Sequence, residues 1–162
     1  MTAAFESTAQ SSDRWNMFQD IASNSDICML MTRSLDGRMV SRPMSTQPYA
    51  GDEVLWLATD NTSRKATEIR VDPVVNLAYY PEQSGEWLSV SGTARLVHDS
   101  ARIARAYSPL WKLWLLALDA ERDGSARDSR IVLIEVRIEH VHYLKRAHGA
   151  TSSWTQLRRV FS

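Results

Sequence analysis

Apolar positions along the chain recur at regular spacings, and these spacings predict its secondary structure. Between Asp13 and Ser23 they recur every three or four residues, which places Trp15, Phe18 and Ile21 on one face of an amphipathic helix. Apolar and β-branched runs separated by turn residues dominate the chain from there to residue 144. These runs predict strands over 27–34, 39–49, 54–59, 74–80, 86–97 and 131–144.

Short turns and further helical segments connect the predicted strands. An Asp-Gly pair at 36–37 supplies the positive φ that a tight hairpin needs between the first two strands. Residues 60–73 begin with cap oxygens and end with a proline, so they predict a short helix. Residues 99–107 predict another helix, and 108–115 begin with Ser-Pro and predict a third.

The order of these elements favours a β-barrel. A parallel doubly wound sheet is excluded because the chain lacks the crossover helices that parallel strands need. Six strands joined by short turns favour a closed or nearly closed antiparallel sheet, which removes exposed edges. We therefore predict a mainly β protein with short helices and a six-stranded antiparallel barrel. Residues 1–12 form a loose N-terminal arm, 13–144 the barrel domain, and 145–162 a tail of undetermined structure.

Composition narrows the class of partner. The 162 residues include 19 basic and 19 acidic side chains, so the chain lacks the positive field that draws proteins onto nucleic acid or anionic membranes. No apolar run is long enough to span a bilayer, and the N-terminus does not have the pattern of a secretory signal. A single cysteine, Cys28, excludes an intramolecular disulfide. We expect a cytoplasmic protein with neither a nucleic-acid nor a membrane partner.

Hydroxyl groups and cations converge at the start of the helix predicted over 60–73. The segment Thr62 to Lys65 lies where the first helical N–H groups have no intrahelical partner, which makes a phosphate-sized anion site. Arg64 and Lys65 oppose the positive end of the helix dipole, and a bound anion would explain their presence there. A solvated basic turn without a ligand is the alternative.

The strand over 39–49 carries polar residues around a proline. Pro43 removes a ladder donor, so it belongs at an edge, a bulge or a bend, where backbone groups are free for a ligand. Arg42 on a largely apolar strand requires an anionic or carbonyl partner. The polar side chains at 45–47 offer hydrogen bonds to a flat heterocycle, and an edge strand with a solvated polar face is the alternative.

Two other features concern packing. Gly92 inside a predicted strand indicates close approach by backbone or ligand, or a bend of the barrel. Trp111 and Trp114 lie on a short predicted helix, and a small domain cannot easily bury both, which favours a subunit interface. A helix that covers the mouth of the barrel explains them equally well.

The usual catalytic patterns are missing. The four histidines do not match zinc spacing and no CxxC pair occurs, so no metal site is predicted. The chain also lacks the GxSxG elbow and the glycine motifs of P-loop and Rossmann proteins. Cys28 lies in an apolar strand and is expected in the core as a thiol. No general acid or base stands out, so catalytic residues stay unassigned.

Four segments, in this order, resemble the general stress protein 26 branch of the pyridoxamine 5′-phosphate oxidase-like, FMN-binding split barrels. They are DGRMVSRPMSTQ, VLWLATDNTSRKATEIRVDPVVNLAYY, WLSVSGTARLVHD and YSPLWKLW. The resemblance covers about Asp13 to Leu144. It implies a homodimeric split barrel with two flavin sites between the subunits.

The resemblance also implies site residues. The phosphate-binding turn of the family matches Ser63, Arg64 and Lys65, and the strand end before it matches Thr59 and Asp60. The strand along the flavin ring matches Arg42, Pro43, Met44 and Ser45. The contribution of the partner subunit matches Trp111 and Lys112. The last predicted strand ends in Tyr143-Leu144, where relatives often carry an aromatic pair. No ring-stacking residue is therefore carried over to that position.

The cofactor implied by the resemblance is FMN, with FAD as a second flavin and the deazaflavin F420 as a less favoured choice. Relatives with this fold bind F420 or haem as well, so the fold alone does not fix the cofactor. The resemblance implies a stress-related, flavin-dependent oxidoreductase acting on an unknown small molecule, with the redox chemistry supplied by the cofactor. Pyridoxamine phosphate is not the expected substrate, because the terminal Arg-Leu-x-Pro pattern of the dedicated oxidases is missing. A non-catalytic protein that stores, buffers or senses flavin is the alternative.

Overall fold

The structure is a computed structural model that describes residues 11–45, 54–107, 111–112, 125–146 and 154–160. The elements follow in the order α1 (Ser11–Ser23), β1 (Ile27–Arg33), β2 (Met39–Ser45), β3 (Val54–Asp60), α2 (Arg64–Val71), β4 (Val74–Tyr79), β5 (Trp87–Val97), α3 (Ser100–Ala106), β6 (Ile131–Arg146) and β7 (Trp154–Val160). Residues 111 and 112 are also helical. Most of the predicted N-terminal arm, and the residues at 46–49 of the second predicted strand, lie outside the described residues. Within the described part, no helix is long and apolar enough to cross a membrane.

The strands form one antiparallel sheet in the order β2-β1-β4-β5-β6-β3, with β7 added on β6. One edge of β6 pairs with β5, and the other edge pairs with β3 in its first half and with β7 in its second half. The outer strands β2 and β3 stand at opposite ends of this order yet lie close together, so the sheet curls on itself. The predicted antiparallel fold with its six strands is confirmed, and β7 is a further strand from the tail.

Alternate residues of the strands fill the interior of the curled sheet. On β1, Cys28 and Leu30 are buried, whereas Ile27 and Met29 are exposed on the other face. Helix α1 adds Phe18 to the same core, as its predicted apolar face requires. Each fully buried aliphatic or aromatic side chain contributes about 1.5–3 kcal/mol relative to an exposed one, so this core is the main source of stability.

Two glycines occupy positions where another residue would either have a strained backbone or collide with a neighbouring strand. Gly37 has a φ of 85° in the hairpin between β1 and β2, which confirms the predicted turn. At Gly92 the pairing of β5 with β6 shifts register, and a Cβ there would lie 2.0 Å from the carbonyl oxygen of Arg137. The close approach predicted at Gly92 is therefore made by the backbone of β6.

A second hydrophobic cluster lies on the outer face of β3 and β6. Trp111 is buried there among Ile103, Ile131 and Leu133, and its ring meets that of Tyr107 edge to face with centroids 5.9 Å apart. The chain itself therefore buries Trp111, which favours a helix covering the sheet over an exposed aromatic surface at this position. Trp114 lies outside the described residues.

Candidate functional site

The loop between β3 and α2 is fixed by side-chain caps. Ser63 is the N-cap of α2, and its Oγ accepts a hydrogen bond from the N–H of Ala66 over 3.3 Å. Asp60 is buried at the end of β3, and its Oδ1 accepts from the backbone N–H of Thr62 over 2.6 Å. The cap oxygens predicted at the start of this helix are confirmed. Asp60 therefore fixes the turn between β3 and α2 through its contact with Thr62.

A small polar cluster forms at the first turn of α2. Thr59 is fully buried, and its Oγ1 lies 3.1 Å from the Oγ of Ser63. The Nζ of Lys65 donates a hydrogen bond to the same Thr59 oxygen over 3.1 Å. A half-buried ammonium group and two hydroxyls thus meet at the positive end of a helix. This combination of donors suits a phosphate group.

Glu68 is a further member of this site, and the residue pattern around it does not indicate this role. Its side chain is fully buried on the face of α2 that packs against the sheet. Oε2 accepts from the hydroxyl of Thr32 over 2.6 Å and from the NH2 of Arg42 over 2.9 Å, and Oε1 accepts from the Nε of Arg64 over 3.0 Å. One carboxylate therefore joins β1, β2 and the start of α2.

Arg42 has the anionic partner that its place on an apolar strand requires, and this partner is Glu68. The Arg42 side chain is only 18% exposed, and its NH1 also donates to the Thr32 hydroxyl. A buried ion pair is tolerated when hydrogen bonds satisfy the remaining donors and lone pairs, which is the role of Thr32 here. The charge of Arg42 is balanced inside the protein, and the side chain fastens β2 to α2.

Lys65 experiences opposing electrostatic influences. Burial lowers its pKa from the usual lysine value, and the nearby charge of Arg42 lowers it further. The carboxylates of Asp60 and Glu68 act in the opposite direction and favour the ammonium form. An anion beside Nζ would add to their effect, so this lysine gains more from a bound phosphate than an exposed lysine would.

The four residues predicted along the flavin ring lie on two faces of β2. Met44 is buried in the core and Arg42 also points inward, whereas Pro43 and Ser45 are exposed. Pro43 lies on a strand at the end of the sheet order, which confirms the edge position predicted from the missing N–H. The four side chains cannot all meet one flat ligand, because neighbouring residues alternate between the faces.

Residues 13–159 match the protein family described as pyridoxamine 5′-phosphate oxidase like. The chain belongs to this family. The protein bli-3 of Neurospora crassa is 30% identical over 131 residues, which make up 79% of this chain and 63% of bli-3. The chain therefore spans less than two thirds of the length of that relative.

Solved structures share the fold of this family member. General stress protein 26 of Bacillus anthracis has 23% identity and a TM-score of 0.67, over 88% of this chain and 97% of its own. A pyridoxamine 5′-phosphate oxidase-related, FMN-binding protein of Nostoc punctiforme has 14% identity and a TM-score of 0.67, over 94% and 98%. A heme-binding protein of Mycobacterium smegmatis has 15% identity and a TM-score of 0.59, over 86% and 55%. The resemblance inferred from the four sequence segments is confirmed, and the fold is the split barrel.

Trp111 and Lys112, which the resemblance assigned to the partner-subunit contribution, differ in exposure. Trp111 is 5% exposed and packs within its own chain, whereas Lys112 is exposed. Of the pair, only Lys112 therefore has a side chain that is open to solvent. In the described ranges, no group of three or more His, Cys, Asp or Glu side chains could hold a metal ion.

Cys28 is a core residue of the barrel, as predicted. It is 1% exposed, and burial raises the pKa of its thiol to about 12 despite a hydrogen bond with Tyr79. The thiolate is the nucleophilic form of cysteine, and at this pKa it is scarce at neutral pH. Cys28 therefore contributes to packing rather than to nucleophilic chemistry.

Proposed function

We propose that the protein is a homodimeric flavoprotein that binds FMN through its phosphate group at the start of α2 and acts as a flavin-dependent oxidoreductase. The observation that carries the proposal is the cluster of Thr59, Ser63 and Lys65, in which two hydroxyls and a half-buried ammonium group converge at a helix N-terminus. Membership of the family and the fold shared with an FMN-binding protein support it.

The ionic groups of the site come from several elements. Arg42, Arg64 and Lys65 lie around the carboxylate of Glu68, with Asp60 near Lys65 and Asp36 near Arg64. The two cations at the first turn of α2, together with the positive end of the helix, would meet the two negative charges that a terminal phosphate monoester carries near neutral pH. FMN ends in such a monoester, whereas the phosphates of FAD and F420 are linked on two sides and carry one negative charge each.

Arg64 is available to such a phosphate. Its side chain is 73% exposed, and its hydrogen bond to Glu68 uses only Nε, so within the part of the chain that the structure describes the two terminal nitrogens are left for a ligand. An arginine fork of this kind can bind two phosphate oxygens at once. Together with Lys65 it gives the site two cations from one helical turn.

Bound FMN would supply the transfer of electrons or hydride, and the protein would bind and orient it. On this proposal, the first turn of α2 holds the phosphate end. The exposed side of β2, with Pro43 and Ser45, offers the neighbouring surface for the ring. The substrate would be a small molecule.

The phosphate assignment is tested by replacing Arg64 and Lys65 together with alanine. Each charge-assisted contact contributes about 1.5–3 kcal/mol, so FMN affinity should fall by roughly 100-fold or more. Riboflavin lacks the phosphate, and its affinity should change little. Arg105→Ala, which removes an exposed cation from the last turn of α3, is the charge control for fluorescence titrations with both ligands. An equal loss of FMN and riboflavin affinity would contradict the assignment.

The oxidoreductase part of the proposal needs a separate measurement. The purified protein should carry the visible absorption bands of a flavin, and a nicotinamide reductant should bleach them. Flavin bands that persist with reductant present would instead indicate storage or sensing of flavin. Repeated reduction of the flavin by the reductant and reoxidation in air distinguishes catalysis from a single reduction.

A further inference from the structure

Glu68 contacts residues of the proposed phosphate site from the buried face of α2, and its own side chain is fully buried. Resting on the FMN-binding function proposed above, we propose that Glu68 is a positioning residue of this site. It acts as the resident counter-ion that fixes Arg42 under the first turn of α2 and turns Arg64 towards the phosphate. The ligand that this site would bind is a phosphate monoester.

The two oxygens of Glu68 serve different sides of the site. Oε2 accepts hydrogen bonds from two residues of the sheet, the Thr32 hydroxyl at 2.6 Å and the NH2 of Arg42 at 2.9 Å. Oε1 accepts a hydrogen bond at 3.0 Å from the Nε of Arg64, which lies one helical turn earlier. Because a guanidinium group is planar, a contact at Nε also fixes the direction of its terminal nitrogens. Glu68 therefore sets the direction from which Arg64 meets a ligand.

The two arginines differ in how firmly they are held. The Arg42 side chain is 18% exposed and the Arg64 side chain 73%, while both are paired with the same fully buried carboxylate. A buried pair persists because breaking it leaves a buried charge without a partner. Arg42 thus stays with Glu68, and the more exposed Arg64, held by Glu68 at Nε, is the arginine that a phosphate in solvent can reach.

Glu68 also affects the charge of Lys65. The groups that face Lys65 are Arg42 from β2, Thr59 and Asp60 from the end of β3, and Glu68 from its own helix. Glu68 and Asp60 favour the ammonium form, and burial and Arg42 oppose it. If Glu68 loses its charge, the pKa of Lys65 falls further. Lys65 then becomes neutral, and loses its ionic attraction for phosphate, at a lower pH.

The test compares Glu68→Gln with Thr32→Val. Both variants disturb the same buried hydrogen bonds, but only the first removes a charge. FMN and riboflavin affinities are measured from neutral pH to about pH 10.5, the ordinary lysine pKa. The affinity for FMN divided by the affinity for riboflavin reports on the phosphate alone, since both ligands contain the same ring.

In the wild type, this affinity ratio should fall as the pH rises through the pKa of Lys65. In Glu68→Gln the midpoint of the fall should lie about half a pH unit or more below the wild-type midpoint. Thr32→Val should keep the wild-type midpoint. An unchanged midpoint in Glu68→Gln, or an equal shift in Thr32→Val, would overturn the proposal.

A second variant keeps the proposal testable if Glu68→Gln does not fold. Lys65→Arg leaves Glu68 in place, and its guanidinium stays charged over the whole pH range. The fall in the affinity ratio should therefore disappear, and a fall that persists would overturn the proposal. Equal affinities of the wild type for FMN and riboflavin at neutral pH would instead refute the phosphate site itself.

Discussion

Glu68 is stable in the core only because other residues satisfy its carboxylate. Glutamate is almost never fully buried without a partner, since an uncompensated charge in the interior is costly. Here one hydroxyl and two guanidinium groups occupy its oxygens. The arrangement makes the stability of the barrel depend on Arg42, the only one of the two paired arginines that is mostly buried.

Replacing Arg42 with methionine should therefore destabilise the protein. The variant leaves Glu68 buried without its main ionic partner, which costs about 3–5 kcal/mol. The double variant Arg42→Met/Glu68→Gln removes both charges and should recover much of that loss. Urea unfolding at neutral pH, followed by circular dichroism, measures both values. A single variant no less stable than the double variant would contradict the role of the pair.

For individual residues, the sequence predicts local helix caps well and distant hydrogen-bond partners poorly. Ser63 and Asp60 could be recognised because a cap acts on residues two or three positions away. Arg42 was correctly expected to need an anionic partner, but the partner lies 26 residues further along the chain. The burial of Glu68 follows from the packing of α2 on the sheet, and its residue type alone predicts exposure.

Among the elements, the strands with alternating patterns and clear turns were predictable, whereas β7 was not. Its segment, WTQLRRV, mixes apolar and basic residues and has no strong strand pattern. It pairs with the second half of β6, on the edge that β3 does not reach. Pairing with an available edge decides the structure of such a segment, and β-propensity depends strongly on this tertiary context.

The pairing of β5 with β6 shifts register at Gly92, where the two backbones approach closely. An added methyl group at Gly92 would collide with the backbone carbonyl of Arg137, which cannot rotate away as a side chain can. We expect Gly92→Ala to lose about 3 kcal/mol of unfolding free energy, the upper range for overpacking. Gly37→Ala meets no atom within 4 Å and should lose only about 1 kcal/mol, through its positive φ. Equal losses in thermal or urea unfolding would contradict this steric account.

For the whole molecule, the outer face of the sheet supports the proposed homodimer. Ile27, Met29, Met39 and Val74 are 55%, 39%, 59% and 63% exposed. The strand register places Met29 beside Pro43 and Ala78, so apolar groups of three neighbouring strands share this face. Neighbouring exposed apolar side chains of this size are typical of an interaction surface.

A homodimer predicts a particle of twice 18.4 kDa in light scattering. Met29→Glu places a charge at the centre of the apolar face and should shift the protein towards the monomer, because a buried unpaired carboxylate is unfavourable. Leu35→Glu is the matched control, since Leu35 is 67% exposed in the turn between β1 and β2, outside the strands that form this face. If the flavin sites lie between subunits, FMN affinity should fall together with dimer content in Met29→Glu and stay unchanged in Leu35→Glu. A wild-type monomer that binds FMN tightly would contradict both the dimer and the shared site.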